Sequence, residues 1–276
     1  MDQVSRARLF RQMHLGPGIL VIANAWDAAS ARVFEEAGVR AIGTSSAGIA
    51  FSHGYPDNEF LPRDVLLRAT EEITRSVHLP VTADILTGLG ASSREIAATV
   101  KEVIALGAVG INIEDGTEQG GFRLFDIEEQ ADKIAAVCAA VAETDVPIVV
   151  NARTDSFWLK LGDEKSMTAE SVKRANRYRA AGADCLFVPS AAERATIKTL
   201  VDEIDGPVNI LTVPGCPPIA ELEALGVRRA SEGSGPMRAS MAVARRVAAE
   251  LLATGTYAAF HQDAIPYAEA NRLFSR

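Results

Sequence analysis

The sequence predicts an α/β chain folded as a parallel (β/α)8 barrel of the TIM type. Eight short apolar runs begin alternately after a proline and after a glycine that closes a helical stretch. Each run is rich in β-branched residues and continuously apolar, the pattern of a strand buried on both faces. Nearly every interval between runs holds an amphipathic stretch, and strands alternating with helices build a parallel sheet. A barrel of this kind gathers its functional side chains where the strands exit into the following loops.

The proline-led runs are 19–24, 81–85, 148–152 and 208–212, following Pro17, Pro80, Pro147 and Pro207. The glycine-led runs are 39–45, 108–113, 183–189 and 227–231, following Gly38, Gly107, Gly182 and Gly226, each placed where a left-handed residue ends a helix. Among the helices, Ser92-Ser93-Arg94-Glu95 has the spacing of a capping box, and Ile96, Val100, Val103 and Ile104 then repeat at helical intervals. The stretch 126–141 opens on Asp126 as an N-cap and sets Ile127, Ala131, Ile134 and Cys138 on one side. Pro217 and Pro218 suit the first turn of a helix running through Leu225. Two connections, 46–61 and 115–125, are long for a barrel, and both follow strands, where loops carry function. The last helix spans 236–253, and a helical tail from about residue 255 holds Tyr257, Phe260 and Tyr267. That aromatic surface is expected to pack on the barrel or on a neighbouring subunit. The whole chain, 1–276, reads as one barrel domain with this tail.

With 276 residues, 48% hydrophobic and 23% charged, the composition is that of an ordinary globule. No run approaches the roughly 20 apolar residues of a membrane span, and the first sixteen residues lack the apolar core of a secretory signal. Cys138, Cys185 and Cys216 are an odd, scattered set without CxxC spacing, which suits reduced thiols in the cytoplasm and argues against structural zinc. The net charge of −8 argues against a nucleic-acid partner. A local anion site remains compatible with it.

The strand exits carry an unusual polar set. Strand two ends in Thr44-Ser45-Ser46-Ala47-Gly48, whose small residues leave backbone N–H groups open to an anion. Strand three exits at Asp84, strand four at Glu114-Asp115, and strand five at Asn151-Ala152-Arg153-Thr154-Asp155; Asn209 lies on strand seven and Glu232 follows strand eight. Asp57 sits in the long loop after strand two. Asp84 and Glu114 come from adjacent strands, and two carboxylates brought close repel unless a cation or proton lies between them. With no His or Cys nearby in sequence, oxygen-only ligands select Mg2+ or Mn2+ over zinc. Arg153 can hold a substrate carboxylate in a bidentate pair. Each residue also has a structural reading. Strand-end acids can cap the next helix, Arg153 can pair with Glu114 or Asp155, Asn209 can satisfy backbone groups, and Glu232 can serve the Gly-Ser-Gly turn. Together, though, three acids and an arginine on one rim are costly to bury without a ligand. Of the four histidines, only His53 falls on a candidate active-site loop, where a surface position explains it equally well.

Six segments in order, Asn-Ala-Trp-Asp (24–27), Thr-Ser-Ser-Ala-Gly (44–48), Pro-Asp (56–57), Thr-Ala-Asp-x-x-Thr-Gly-x-Gly (82–90), Asn-Ile-Glu-Asp (112–115) and Asn-Ala-Arg-Thr-Asp (151–155), are similar to the isocitrate lyase/phosphoenolpyruvate mutase superfamily from about residue 20 to 255. The resemblance implies a barrel whose eighth helix is exchanged between subunits of a homodimer or homotetramer. It implies chemistry on C–C or P–C bonds beside a 2-oxo acid, through an enolate stabilised by Mg2+. Asp84 then resembles the direct metal ligand, and Asp57 and Glu114 the acids that hold the metal's waters. Ser45, Ser46 and Ala47 resemble the segment that grips the substrate carboxylate, with Trp26 beside it. Arg153 resembles the arginine near the enolate oxygen, and Asn209 the strand-seven asparagine at the substrate's far end.

Three positions depart from the superfamily pattern. Leu86 stands where a second aspartate usually follows the first. The loop 116–125 lacks the Lys-Lys/Arg-Cys-Gly segment whose cysteine moves a proton in the lyases, leaving Glu118 or Arg123 as candidates. Ser190 follows Pro189 where isocitrate-type lyases have a glutamate. The leading expectation is a Mg2+-dependent lyase that cleaves or decarboxylates a small 2-oxo or 2-hydroxy carboxylic acid. The alternatives are phosphoenolpyruvate or phosphonopyruvate mutase or hydrolase chemistry, and a 2-oxo acid binding protein without activity.

Overall fold

The structure is a computed structural model, and it describes residues 1–57, 61–117, 121–262 and 264–275. Eight parallel strands close into a barrel in sequence order: β1 (Leu20–Ala25), β2 (Ile42–Thr44), β3 (Val81–Asp84), β4 (Gly110–Glu114), β5 (Val149–Arg153), β6 (Cys185–Val188), β7 (Val208–Leu211) and β8 (Arg229–Ser231), with β8 returning to pair with β1. All eight overlap the runs expected from punctuation. The largest difference is β2, where strand pairing is confined to three residues and Ser45 becomes the N-cap of the next helix.

Two registers matter for function. Asp84 on β3 pairs with Asn112 on β4, which pairs with Asn151 on β5. Two residues further along, Glu114 pairs with Arg153, which pairs with Phe187 on β6. Parallel in-register pairing therefore stacks two polar tiers at the exits of neighbouring strands.

Helices cover the outside of the barrel. Helix α5 (Ser93–Ala105) starts on the expected capping box, with Ser92 and Glu95 satisfying each other's backbone N–H groups. Helix α6 (Ile127–Ala142) starts on Asp126, whose side chain accepts from Glu128 and Glu129 N–H. Their inner faces meet the strands in a continuous core that includes Ile96, Val100, Ile134 and Val137. The four glycines leading β2, β4, β6 and β8 all have positive φ, between 89° and 110°, as a helix-ending residue requires. Helix α9 (Ile219–Leu225) begins one residue later than its prolines suggest, with Pro218 as its N-cap.

The N-terminal mouth is closed by helix α1 (Gln3–Leu15), an element the sequence reading did not assign. Ala7 and Phe10 are fully buried against Leu20, Ile22, Val109 and Val149 at the strand starts. A side chain added at Gly110 would lie 2.7 Å from the Phe10 ring, so only glycine leaves room for the plug. Arg11 anchors it by pairing with Asp184 and donating to Ile148 O at 2.7 Å.

The C-terminal part leaves the barrel. Helix α10 (Gly235–Thr254) buries only Met237, while Met241, Val243, Leu251 and Leu252 stay exposed. The tail continues through a turn of helix at Ala258–His261 to α12 (Tyr267–Phe274). Leu273 is buried there, and its carbonyl accepts from Arg32 Nε at 2.7 Å, so the tail docks on α2 (Ala28–Glu36). No described helix is long and apolar enough to cross a membrane.

Candidate active site

The strand exits open into a cleft of about 1130 Å3, counting the open space at its mouth. Seven of the sequence-predicted residues line it: Ser45, Ser46, Ala47, Asp57, Asp84, Glu114 and Arg153. Two do not. Trp26 packs edge-on against Phe34, behind the helix α3 (Ser46–Ser52). Asn209 is fully buried beneath the cleft, sharing hydrogen bonds of 3.4 Å with Ser231 Oγ, and Leu211 and Thr212 occupy the wall above it.

Asp84 is bound to the β2 exit. Ser46 donates to its Oδ2 from both the backbone N–H (3.2 Å) and the hydroxyl (2.7 Å), and Thr44 Oγ1 accepts from its N–H at 2.9 Å. The Ser46 N–H expected to meet an anion is thus committed to a carboxylate. Gly48 N–H is likewise committed to Ser45 Oγ, at 3.1 Å. The other oxygen, Oδ1, has no partner among the described residues, which leaves it for a cation.

One tier higher, Arg153 forms an ion pair with Glu114 Oε2 at 2.7 Å and donates from Nε to Asp155 Oδ1 at 2.6 Å, with Trp158 and Phe187 rings within 6 Å of its guanidinium. Burial opposes its charge, but Asp155, Glu114 and Asp84 outweigh this and raise its pKa. Burial also pushes the Glu114 carboxyl well above its ordinary range; Arg153 pulls it back, while Asp155, Asp84 and Asp57 push with burial. Asp155 shifts upward for the same first reason. Four carboxyl groups thus compete for one guanidinium, and the surplus negative charge calls for a proton or a further cation.

Among the described residues no three Asp, Glu, His or Cys side chains stand close enough to ligate one ion together. An ion bound here would therefore have fewer than three of these side chains as direct ligands and would need water for other positions. Mg2+ behaves in this way, and its oxygen-only preference fits the donors present. The oxygen donors that line the cleft, Asp57, Asp84 and Glu114, therefore fit Mg2+.

Neighbouring residues hold this arrangement. Asp115, beside Glu114, turns away from the cleft and is fully buried; it accepts from Tyr178 Oη (2.6 Å), Arg174 Nη1 (3.2 Å) and Asp155 N–H (2.8 Å). It joins the exits of β4 and β5 to helix α7 (Glu164–Ala180). A side chain at Gly116 would fall 2.4 Å from Asp155 Oδ2, so glycine there makes space for that acid. Leu86, in place of a second aspartate, has φ 53° and packs beside Ile49 and Leu66. Arg123 is exposed, 5.6 Å from the Phe125 ring, and does not line the cleft; Glu118 lies outside the described residues. Ser190 does not line it either. Lining residues that sequence reasoning did not assign to the site include Asn112, Trp158, Thr212 and Arg238. Arg238 comes from the first turns of α10, and no sequence signal tied it to the strand exits.

The family model for phosphoenolpyruvate phosphomutase matches residues 10–252. The chain belongs to this family. The 2-methylisocitrate lyase of Escherichia coli (strain K12) is 33% identical over 215 residues, covering 75% of this chain and 70% of the lyase. A crystal structure from Burkholderia cenocepacia J2315, provisionally classed as a lyase or mutase, superposes with a TM-score of 0.93 at 34% identity, covering 99% of this chain and 98% of its own. A phosphonopyruvate hydrolase solved with oxalate and Mg2+ superposes with a TM-score of 0.84 at 27% identity, covering 99% of this chain and 95% of its own. The family thus includes enzymes that cleave C–C and P–C bonds, and the closed parallel barrel is the fold they share.

Proposed function

We propose that the protein is a Mg2+-dependent carbon–carbon lyase acting on a small 2-oxo or 2-hydroxy carboxylic acid. The observation that carries this reading is the convergence of Asp57, Asp84, Glu114 and Arg153 on one cleft. When bound, Mg2+ supplies Lewis-acid stabilisation of negative charge on the substrate's oxygens. Asp84 would hold it, Asp57 and Glu114 would orient its waters, and Ala47 at the start of α3 would face the substrate carboxylate. Arg153, fixed by Glu114 and Asp155, presents a charge whose stabilising effect is greatest as the bond breaks. Mn2+ satisfies the same oxygen donors.

The described cleft lining contains no Cys, His, Lys or Tyr, which favours a carboxyl group for the proton transfer. Glu232, at the exit of β8, stands apart from the Asp84 cluster, and burial raises its pKa. It is the group best placed to carry a proton to or from the departing fragment. Phosphonate chemistry fits less well, because Arg153 is already shared by two carboxylates and Arg238 is the one lining cation without an ion pair among the described residues. A binding protein without activity is distinguished by turnover. Replacing Asp84 with alanine is expected to abolish Mg2+-dependent cleavage in assays over a panel of 2-oxo and 2-hydroxy acids; unchanged activity in excess chelator refutes the reading.

We also infer a homodimer or homotetramer with α10 exchanged between subunits, supported by the apolar surface that α10 leaves uncovered. The three cysteines are free thiols, which supports a cytoplasmic location.

A further inference from the structure

The cleft floor holds a hydrogen-bond donor that no described residue accepts from. Asn112 lies between Asp84 and Asn151 in the lower tier, lines the cleft and is 7% exposed. Its Oδ1 accepts two bonds, from Asn151 Nδ2 at 2.7 Å and from Arg229 Nη2 at 3.2 Å. A guanidinium can only donate, so the Asn112 atom facing Arg229 must be the amide oxygen. This settles which way the carboxamide is turned, a choice otherwise ambiguous for asparagine. The amide nitrogen points away from these two donors, and among the described residues nothing accepts from it. Asn24, also lining the cleft, has one of its two amide N–H groups and its oxygen engaged. Its Nδ2 donates to Thr44 O at 3.1 Å, and its Oδ1 accepts from Glu232 and Gly233 N–H, both at 2.9 Å.

Arg229 is an expensive way to hold an amide. It is fully buried at the start of β8 and reaches across the barrel to Asn112. Its other neighbours are His14 Nε2 at 3.5 Å and the Phe10 ring at 5.9 Å, and among the described residues no carboxylate pairs with it. Burying a charge among neutral partners is costly. Burial lowers its pKa to about 10, against smaller opposing influences of Cys185 and then Asp84, which still leaves it charged at neutral pH. A fixed cation on the amide oxygen polarises the carboxamide and strengthens its N–H groups as donors.

We propose that Asn112 is a substrate-contacting residue, an aimed donor to a carboxylate or carbonyl oxygen of the 2-oxo acid, and that Arg229 positions it from below. The inference rests on the reading of the cleft as a Mg2+-dependent carboxylic acid site and adds to it the group that reads the deepest substrate oxygen.

Titration calorimetry of the full chain tests it, with Mg2+ alone and with oxalate in the presence of Mg2+. Asn112→Asp keeps the acceptor for Arg229 and Asn151 but removes the donor; Asn112→Ala removes both. Each is expected to weaken oxalate at least about tenfold, the worth of one hydrogen bond to a charged group, while Mg2+ alone binds no more weakly than to the parent. Arg229→Met is expected to weaken oxalate about threefold to tenfold in the parent, and to add nothing in the Asn112→Ala background. Additive losses mean that Arg229 acts only on the fold, and they overturn its positioning role. Should Arg229→Met fail to fold, the two Asn112 variants still decide the donor role. Oxalate affinity in both within about twofold of the parent overturns the proposal. A parent that binds no oxalate with Mg2+ overturns the cleft reading itself, and this inference with it.

Discussion

His14 shows how one side chain sets the acid limit of the fold. Burial, with Arg229 nearby, lowers its pKa to about 3, against the help of a hydrogen bond to Phe10 O. The folded state therefore holds His14 neutral, while the unfolded chain protonates it near pH 6.5. Its contribution to stability is complete above pH 6.5 and is lost as pH falls toward 3. Urea midpoints measured across this range are expected to fall with acid in the parent. They should fall less steeply in His14→Gln, with a difference on the order of a few kcal/mol at the acid end. Glu232 offers a test at the same scale. Glu232→Gln keeps the shape and removes the proton, and is expected to reduce kcat on the order of 100-fold while leaving Mg2+ affinity unchanged. Both residues were visible in the sequence, but neither role was. A histidine in a polar N-terminal stretch looks exposed until Phe10 and Arg229 are packed around it. A glutamate before Gly-Ser-Gly looks like a turn residue until the opposite wall proves to hold the other acids.

Elements were legible in proportion to how strongly burial had shaped them. Strands buried on both faces must be apolar throughout, so all eight could be read, as could helices with a capping box or a strong apolar stripe. Helix α1 escaped because only one side of it is buried, and its sequence, QVSRARLFRQMHL, is mainly polar. Its contribution is nonetheless large. Phe10→Ala is expected to cost about 3–5 kcal/mol, as large aromatic truncations in cores do, and thermal unfolding checks it. Depth within a strand was harder to read than the strand. Asn209 lies on β7 as expected, yet two residues too deep to reach the cleft, because strand tilt and stagger set height and neither is written in local sequence. Asp115 was ambiguous for a related reason: it adjoins Glu114, and alternation sends neighbouring side chains to opposite faces of a strand. The acids and Arg153 at the exits were legible because their chemistry is costly to bury and because their spacing matched a family pattern.

At the scale of the whole molecule, α10 is the feature a single chain does not account for. A 20-residue helix that buries Met237 alone leaves an apolar face open to water, and faces of this kind mark association surfaces. Light scattering at micromolar concentration is expected to give a dimer or tetramer, and a monomer would refute the exchanged-helix reading. The α1 plug has a consequence for kinetics. With the N-terminal mouth covered by Phe10 and its neighbours, the cleft lined by Asp57 is the route in and out that the described residues leave open. The two-product reaction proposed for this cleft would then release its products in order. In the proposed reaction the fragment nearer the opening would depart first and one held beside Asp84 and Asn112 last, and product-inhibition kinetics should then show the retained fragment competing with substrate.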